Sequence, residues 1–177
     1  LTDENMSYLS YSRGYKGPAY NVFYNMATVH TNVIEPETVN AFEAGLKNSF
    51  LDGALIVNLA AYYAKYKNYQ ANSPDFVNGV RTTRLINAGS VSTQGFEFEL
   101  VANPADNFSV NAGLAYNKAK VEQFRLPPGA NAADLIPSGT PLANAPEWKF
   151  ATGFDWTIET GGFANVELNG QLAMQSD

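Results

Sequence analysis

Glu97 and Glu99 stand two residues apart in the run GFEFEL, so on an extended backbone both carboxylates project from the same face. Paired carboxylates are the minimum for general acid–base chemistry. Such chemistry also needs a nucleophile, a base or a metal nearby, and here the chain offers little. His30 is the single histidine and there is no cysteine, which excludes a His-based triad or metal cluster, thiolate metal sites and disulfides. No catalysis, resident metal or cofactor is expected. Arg81 and Arg84, in NGVRTTRLI, could receive an anion, since guanidinium pairs bidentately with carboxylates and phosphates. His30 shares a polar stretch with Tyr20, Asn21, Tyr24, Asn25 and Asn32, a set able to stack on a ligand and hydrogen-bond to it. For the arginines and the His30 set the plainer reading is a solvated loop, and for Glu97 and Glu99 it is a pair of strand charges that hydrate one face.

The elements that must carry these residues read as β-strands. Period-2 alternation dominates and helical periodicity is nearly absent. Seven strands are expected, over residues 6–16, 37–50, 54–69, 86–102, 108–122, 147–158 and 163–175. Most run well beyond the ~5 to 6 residues usual in globular proteins. Their connections alternate in length. FLDG, NPADN and ETGG make tight turns from residues that supply turn backbone angles, whereas 17–36, 70–85 and 123–146 read as long polar loops. LPPGANAADLIPSGTPLANAP leads into no helix whose N-terminus could cradle phosphate, so it is assigned to the last loop. A weak repeat, VNLAAYYAKYK at 57–67 against VNAGLAYNKAK at 110–120, recurs 53 residues on and marks a recurring hairpin.

Sorting the strands by parity separates two faces. One carries Phe42, Leu46, Leu55, Val57, Leu59, Tyr63, Phe96, Phe98, Leu100, Phe108, Val110, Leu114, Tyr116, Phe154, Trp156, Ile158, Val166, Leu168, Leu172 and Met174. The other carries Glu43, Lys47, Asn58, Glu97, Glu99, Asn111, Glu167 and Asn169, with Tyr62, Gly45, Gly113 and Asp155. Aromatics gather at both strand ends: Phe50, Phe108, Trp156 and Phe163 beside the short turns, Tyr15, Tyr62, Tyr63, Tyr66, Tyr69 and Tyr116 toward the loops. Aromatic belts of this kind mark membrane interfaces. Long strands, hairpins with all long loops at one end and a continuous apolar face point to an antiparallel up-and-down transmembrane β-barrel whose apolar face meets lipid. The competing reading turns that face inward, as in a soluble β-sandwich binding module. No apolar run reaches the ~18 to 20 residues of a spanning helix. The formal charge of −6, with eleven scattered basic residues, argues against nucleic acid. Beginning at Leu1 and ending inside an alternating run, the chain reads as part of something larger. The first strand, MSYLSYSRGYK, has no clear parity.

Specific residues then point to a family. YLSYSRGYKGPAYN at 8–21, EPETVNAFEAGLKNSF at 35–50 and NAGSVSTQGFEFEL at 87–100 resemble the barrel half of TonB-dependent outer-membrane receptors. There a Tyr-Ser-Arg-Gly-aromatic-Lys strand end, a Pro-Glu before Glu-x-Gly-x-Lys, and an Asn-Ala-Gly lead into Gly-aromatic-Glu recur in this order. The resemblance implies a 22-stranded barrel with a plugged lumen, of which residues 1–177 supply about seven strands of the C-terminal half, the plug domain, the coupling box and the other strands lying elsewhere. It further implies energy-coupled import of a scarce bulky solute, a ferric siderophore or haem, across the outer membrane of a Gram-negative bacterium. The implied partners are membrane lipid, the solute, and a TonB-type coupling protein acting through the plug. Tyr20, Tyr24, His30, Arg81 and Arg84 are then loop candidates for solute contact. Glu43, Lys47, Asn58, Glu97, Glu99, Asn111, Glu167 and Asn169 are expected to line the lumen. A passive porin or autotransporter-type barrel is the alternative.

Overall fold

Extended backbone follows from the β-branched and aromatic residues recurring at every second position. The computed structural model describes residues 4–21, 33–77, 80–126, 132–162 and 164–177. Among these, β1 (Asn5–Lys16), β2 (Ala19–Tyr20), β3 (Val33–Ile34), β4 (Glu37–Phe50), β5 (Leu55–Lys67), β6 (Gln70–Val77), β7 (Val80–Asn87), β8 (Gly89–Ala105), β9 (Phe108–Phe124), β10 (Trp148–Glu159) and β11 (Asn165–Gln175) are the strands. Seven of them form one antiparallel sheet in the order β1-β4-β5-β8-β9-β10-β11, each paired only with its neighbours in that sequence. These are the seven expected strands, displaced by a few residues at their ends.

Short turns close the hairpins at one end of the sheet. Leu51, Asp52 and Gly53 hold left-handed backbone (φ 56°, 54° and 90°) between β4 and β5, and Gly53 N–H donates to Phe50 O at 3.2 Å. Asp106 and Asn107 join β8 to β9 after a register shift between Ala102 and Ala105. At the opposite end the connections are long, and described residues of all three make β-pairings that polar composition did not suggest. Within residues 70–85, expected as loop, the structure has β6 and most of β7, which pair as a hairpin with Gln70 opposite Asn87 and Val77 opposite Val80. β2 and β3 pair across the first connection. In the third, Pro141 bridges Lys120, and Val121 N–H donates to Thr140 O at 2.9 Å. The chain thus returns along the upper edge of β9.

Register turns the parity argument into geometry. Residues opposite one another in an antiparallel pair share a face. The rows Leu46–Leu59–Phe98–Leu114–Phe150 and Leu9–Ala44–Ala61–Phe96–Tyr116–Trp148 therefore lie on one face. The row Lys47–Asn58–Glu99–Gly113–Ala151 lies on the other. Pairing with β4 also settles the first strand: Leu9, Tyr11, Arg13 and Tyr15 join the apolar face, and Met6, Tyr8 and Ser10 the polar one. Phe150 and Trp148, which the sequence reading left out, complete the apolar rows. Tyr62 and Tyr66 pair with Glu43 and Val39 on the polar side, so they are not part of an aromatic belt facing outward. Phe163 lies outside the described residues.

Very little of this apolar surface is covered. Among the described residues the buried apolar side chains are Ile34, Ala64, Ile86, Val91 and Val121, four of them branched, all toward the long-connection end. Leu9 remains 81% exposed and Leu59 43%. Soluble sheets bury one face against a second layer. No described element packs on the apolar face here.

Candidate functional site

Polar side chains assemble on the face opposite the apolar band. Strand pairing places Glu43 beside Tyr62, Lys47 beside Asn58, and Asn58 beside Glu99, with Ala60 opposite Glu97. Tyr8 O–H donates to a Glu43 carboxylate oxygen. Lys47 Nζ sits 5.9 Å from the Tyr8 ring centre. Asn58 Nδ2 donates to Glu99 Oε2 at 3.3 Å, and Tyr62 O–H and Thr93 O–H both donate to Asn117 Oδ1, at 3.1 and 2.6 Å. Two of the sequence motifs acquire a physical reason in this arrangement. Gly45, of Glu-x-Gly-x-Lys, is the seat of the Tyr8 ring, and a Cβ there would overlap it. Gly95, of Gly-aromatic-Glu, lies against the Tyr62 hydroxyl and the Tyr116 carbonyl in the same way. Ring-over-glycine packing of this type pins the register of neighbouring strands.

Of the eight polar-face residues, Glu43, Lys47, Asn58, Glu97 and Glu99 form one cluster. Asn111 lies on β9 opposite Val101, and Glu167 and Asn169 on β11 opposite Thr157 and Asp155. The same face also carries Ile56 and Val101, both exposed near the short turns. Glu97 and Glu99 are solvent-exposed and paired with no nucleophile. Among the described residues no group of histidine, cysteine, aspartate or glutamate is disposed to hold a metal. The arrangement can hydrate and hydrogen-bond.

The long-connection end is tied together by amide side chains, a feature the sequence reading missed. Asn21 Nδ2 donates to Leu85 O at 2.9 Å while its Oδ1 accepts from Leu85 N–H at 2.8 Å, fastening the first connection to the β6–β7 hairpin. Buried Gln70 donates through Nε2 to Gly17 O and Glu35 O, and its N–H donates to Glu37 Oε2 at 2.7 Å. Asn87 Nδ2 reaches Glu35 O and Asn68 O, each at 2.9 Å. Of the solute-contact candidates, Tyr20 and Arg81 are exposed at this end, whereas Arg84 is buried, 8% exposed. Arg84 thus has little of its surface open to solvent. Tyr24 and His30 lie outside the described residues.

Comparison with known proteins gives consistent results. A family model described as TonB dependent receptor-like, beta-barrel matches residues 1–176. The chain is 27% identical over 119 residues to the probable TonB-dependent siderophore receptor PiuA of Acinetobacter baumannii, covering 65% of this chain and 15% of that protein. It is 28% identical over 113 residues to the metal-pseudopaline receptor CntO of Pseudomonas aeruginosa, covering 64% and 14% respectively. In structure it is similar to the ferric yersiniabactin uptake receptor FyuA of Yersinia pestis, with a TM-score of 0.74 at 18% identity, over 99% of this chain and 24% of that one. The chain thus spans only about a seventh of the length of the relatives it matches in sequence.

Proposed function

This chain belongs to the TonB-dependent receptor-like β-barrel family, and from that premise we propose that it forms part of the wall of an outer-membrane receptor importing a siderophore-type metal chelate under energy coupling. The observation that carries the reading is the sorting of side chains across all seven paired strands: one face apolar and uncovered, the other rich in carboxylates and amides. Buried polar backbone at the two sheet edges is intolerable in hydrocarbon, so β1 and β11 each pair with further strands of the complete receptor, closing the cylinder.

On this reading Glu43, Lys47, Asn58, Glu97, Glu99, Asn111, Glu167 and Asn169 line the lumen, keep it hydrated and hydrogen-bond to a plug domain. Movement of the plug, drawn by a TonB-type partner, opens the path for the solute. Tyr20 and Arg81 at the long-connection end, with Tyr24 and His30, meet an anionic chelate on arrival; the guanidinium of Arg81 supplies bidentate pairing to its carboxylate or phenolate oxygens. A chelate is favoured over haem because the relatives' own names refer to a siderophore and to metal-pseudopaline. The test is uptake of radiolabelled ferric siderophores by cells carrying the full-length receptor, with and without residues 123–146 and with and without the energy-coupling complex. Saturable uptake that is lost without the complex, and weakened by the deletion, is expected. Uptake that persists unchanged without the complex would instead indicate a passive barrel.

A further inference from the structure

Pro36-Glu37 and Asn87-Ala88-Gly89, which stood out in the sequence, lie far apart in the chain and have no role in the polar cluster. The structure brings them together. The long hairpin that leaves the sheet along β5 and returns along β8 breaks on both strands at one height. Between the pairs Lys67–Ser90 and Gln70–Asn87, Asn68 on one strand and Gly89 on the other hold left-handed backbone, φ 54° and 112°. Beyond the break β6 and β7 form a two-stranded sheet of their own. Tyr69 N–H donates to Gly89 O at 2.9 Å and Ala88 N–H to Tyr69 O at 2.7 Å, so the two strands stay paired through the bend. Only glycine fits at 89, because a Cβ there would overlap the Gln123 carbonyl oxygen.

Amide side chains set into the backbone of residues 35–37 hold the bend. Asn87 grips Glu35 on both backbone groups, Nδ2 donating to Glu35 O at 2.9 Å and Oδ1 accepting from Glu35 N–H at 2.8 Å. Across the break it also donates to Asn68 O at 2.9 Å. Asn68 Nδ2 donates to Pro36 O at 3.4 Å, and proline has no N–H to leave unpaired. Gln70, 6% exposed, donates its N–H to Glu37 Oε2 at 2.7 Å. Its Nε2 gathers Gly17 O and Glu35 O, the two flanks of the β2–β3 connection, at 2.9 and 3.1 Å. Tyr20, on β2, is thereby referred to the same joint. A two-stranded hairpin alone is marginal in water, so these bonds decide where β6–β7 points. Arg81 lies opposite Phe76, about 20 Å along the strand from Gln70. A swing of about 30° at the break would carry it about 10 Å sideways, several times a hydrogen-bond length.

We propose that residues 35–37 and Asn87-Ala88-Gly89 are the two halves of one locked joint, in which Gln70, Asn87 and Asn68 are positioning residues that hold Arg81 and Tyr20 at a fixed separation before an anionic chelate arrives. The role toward a chelate rests on the receptor reading of the preceding section. Contacts fixed in advance spare the cost of ordering them on binding. The test is pulsed electron double resonance between spin labels on Lys67→Cys and Arg81→Cys, one on each side of the break, in the full-length receptor in lipid with no other cysteine. Wild type is expected to give one narrow distance distribution, and Gln70→Leu/Asn87→Leu one at least twice as wide. A pair within β5, Lys67→Cys and Leu59→Cys, should not change. A broad distribution in wild type overturns the proposal, as does an equally narrow one in the variant. Should the double variant disturb the β5 pair too, Asn87→Asp, which keeps the acceptor and loses the donor, is read in the same way. In the uptake assay above, Gln70→Leu/Asn87→Leu should raise the half-saturating concentration about tenfold with the maximal rate kept. Unchanged half-saturation beside widened distances overturns the positioning role. Absence of energy-coupled uptake in wild type counts against the import reading alone, and the distances still decide the joint.

Discussion

An arginine placed successively at Leu55, Val57, Leu59, Ala61 and Tyr63 probes the medium around the apolar face. These five residues lie on one face of β5, from the short turn to the upper aromatics. Leu59 is midway, four residues or ~13 Å along the strand from either end, and its row neighbours are Leu46 and Phe98. An arginine at the bilayer midplane of a β-barrel costs about 2 to 4 kcal/mol, and near the interfaces about 0 to 1. Leu59→Arg is therefore expected to lower the folded population by a factor of about 30 to several hundred, Val57→Arg and Ala61→Arg by less, and Leu55→Arg and Tyr63→Arg by little. The assay is reversible guanidinium unfolding of the full-length receptor in lipid vesicles, with Asn58→Arg on the polar face as control, expected to be near neutral. Depth alone sets this profile. A cost that peaks at Leu55 or Tyr63, or that is flat along β5, would refute the reasoning, because a protein core penalises charge according to packing and not according to distance from a midplane.

Two further predictions concern the packing devices seen in the sheet. Gly45→Ala puts a Cβ into the Tyr8 ring and should destabilise by about 1 to 3 kcal/mol; Tyr8→Ala should remove most of that penalty in a double-mutant cycle, and additive effects would deny the seat. Asn21→Ala removes both hydrogen bonds to Leu85, so hydrogen exchange at the amides of residues 83–86 should accelerate at least several-fold, with the sheet amides of β8 unaffected.

The seven sheet strands were legible because each separates two different media, which forces strict alternation: Phe96-Glu97-Phe98-Glu99 admits one register. The segments QANSPDFV and VRTTRLIN show no strict alternation of polar and apolar residues. The β6–β7 hairpin was missed for this reason, although Asn78-Gly79 between Val77 and Val80 is a strong hairpin signal. Tyr and Ser occur on both faces of the first strand, and only pairing with β4 assigned them. Polar-face residues such as Asn58 and Glu99 followed directly from parity. The ties between Asn21 and Leu85, 64 residues apart, and from Gln70 to Gly17 and Glu35 did not, because long-range side-chain bonds leave no local pattern. Arg84 illustrates the same limit: it is 8% exposed, which its charge and its place in a polar stretch did not indicate.

The orientation of the two faces can be measured directly by spin labels on single cysteines. The chain has no cysteine of its own, so labels at Leu59, Phe98 and Leu114 report one face and labels at Asn58, Glu99 and Asn111 the other. In the full-length receptor reconstituted in lipid, power saturation should show the first three relaxed by dissolved oxygen and shielded from a water-soluble nickel chelate, and the second three not relaxed by oxygen as lipid-facing labels are. Nickel access at Leu59, Phe98 and Leu114, or exclusion of both reagents there, would contradict the account.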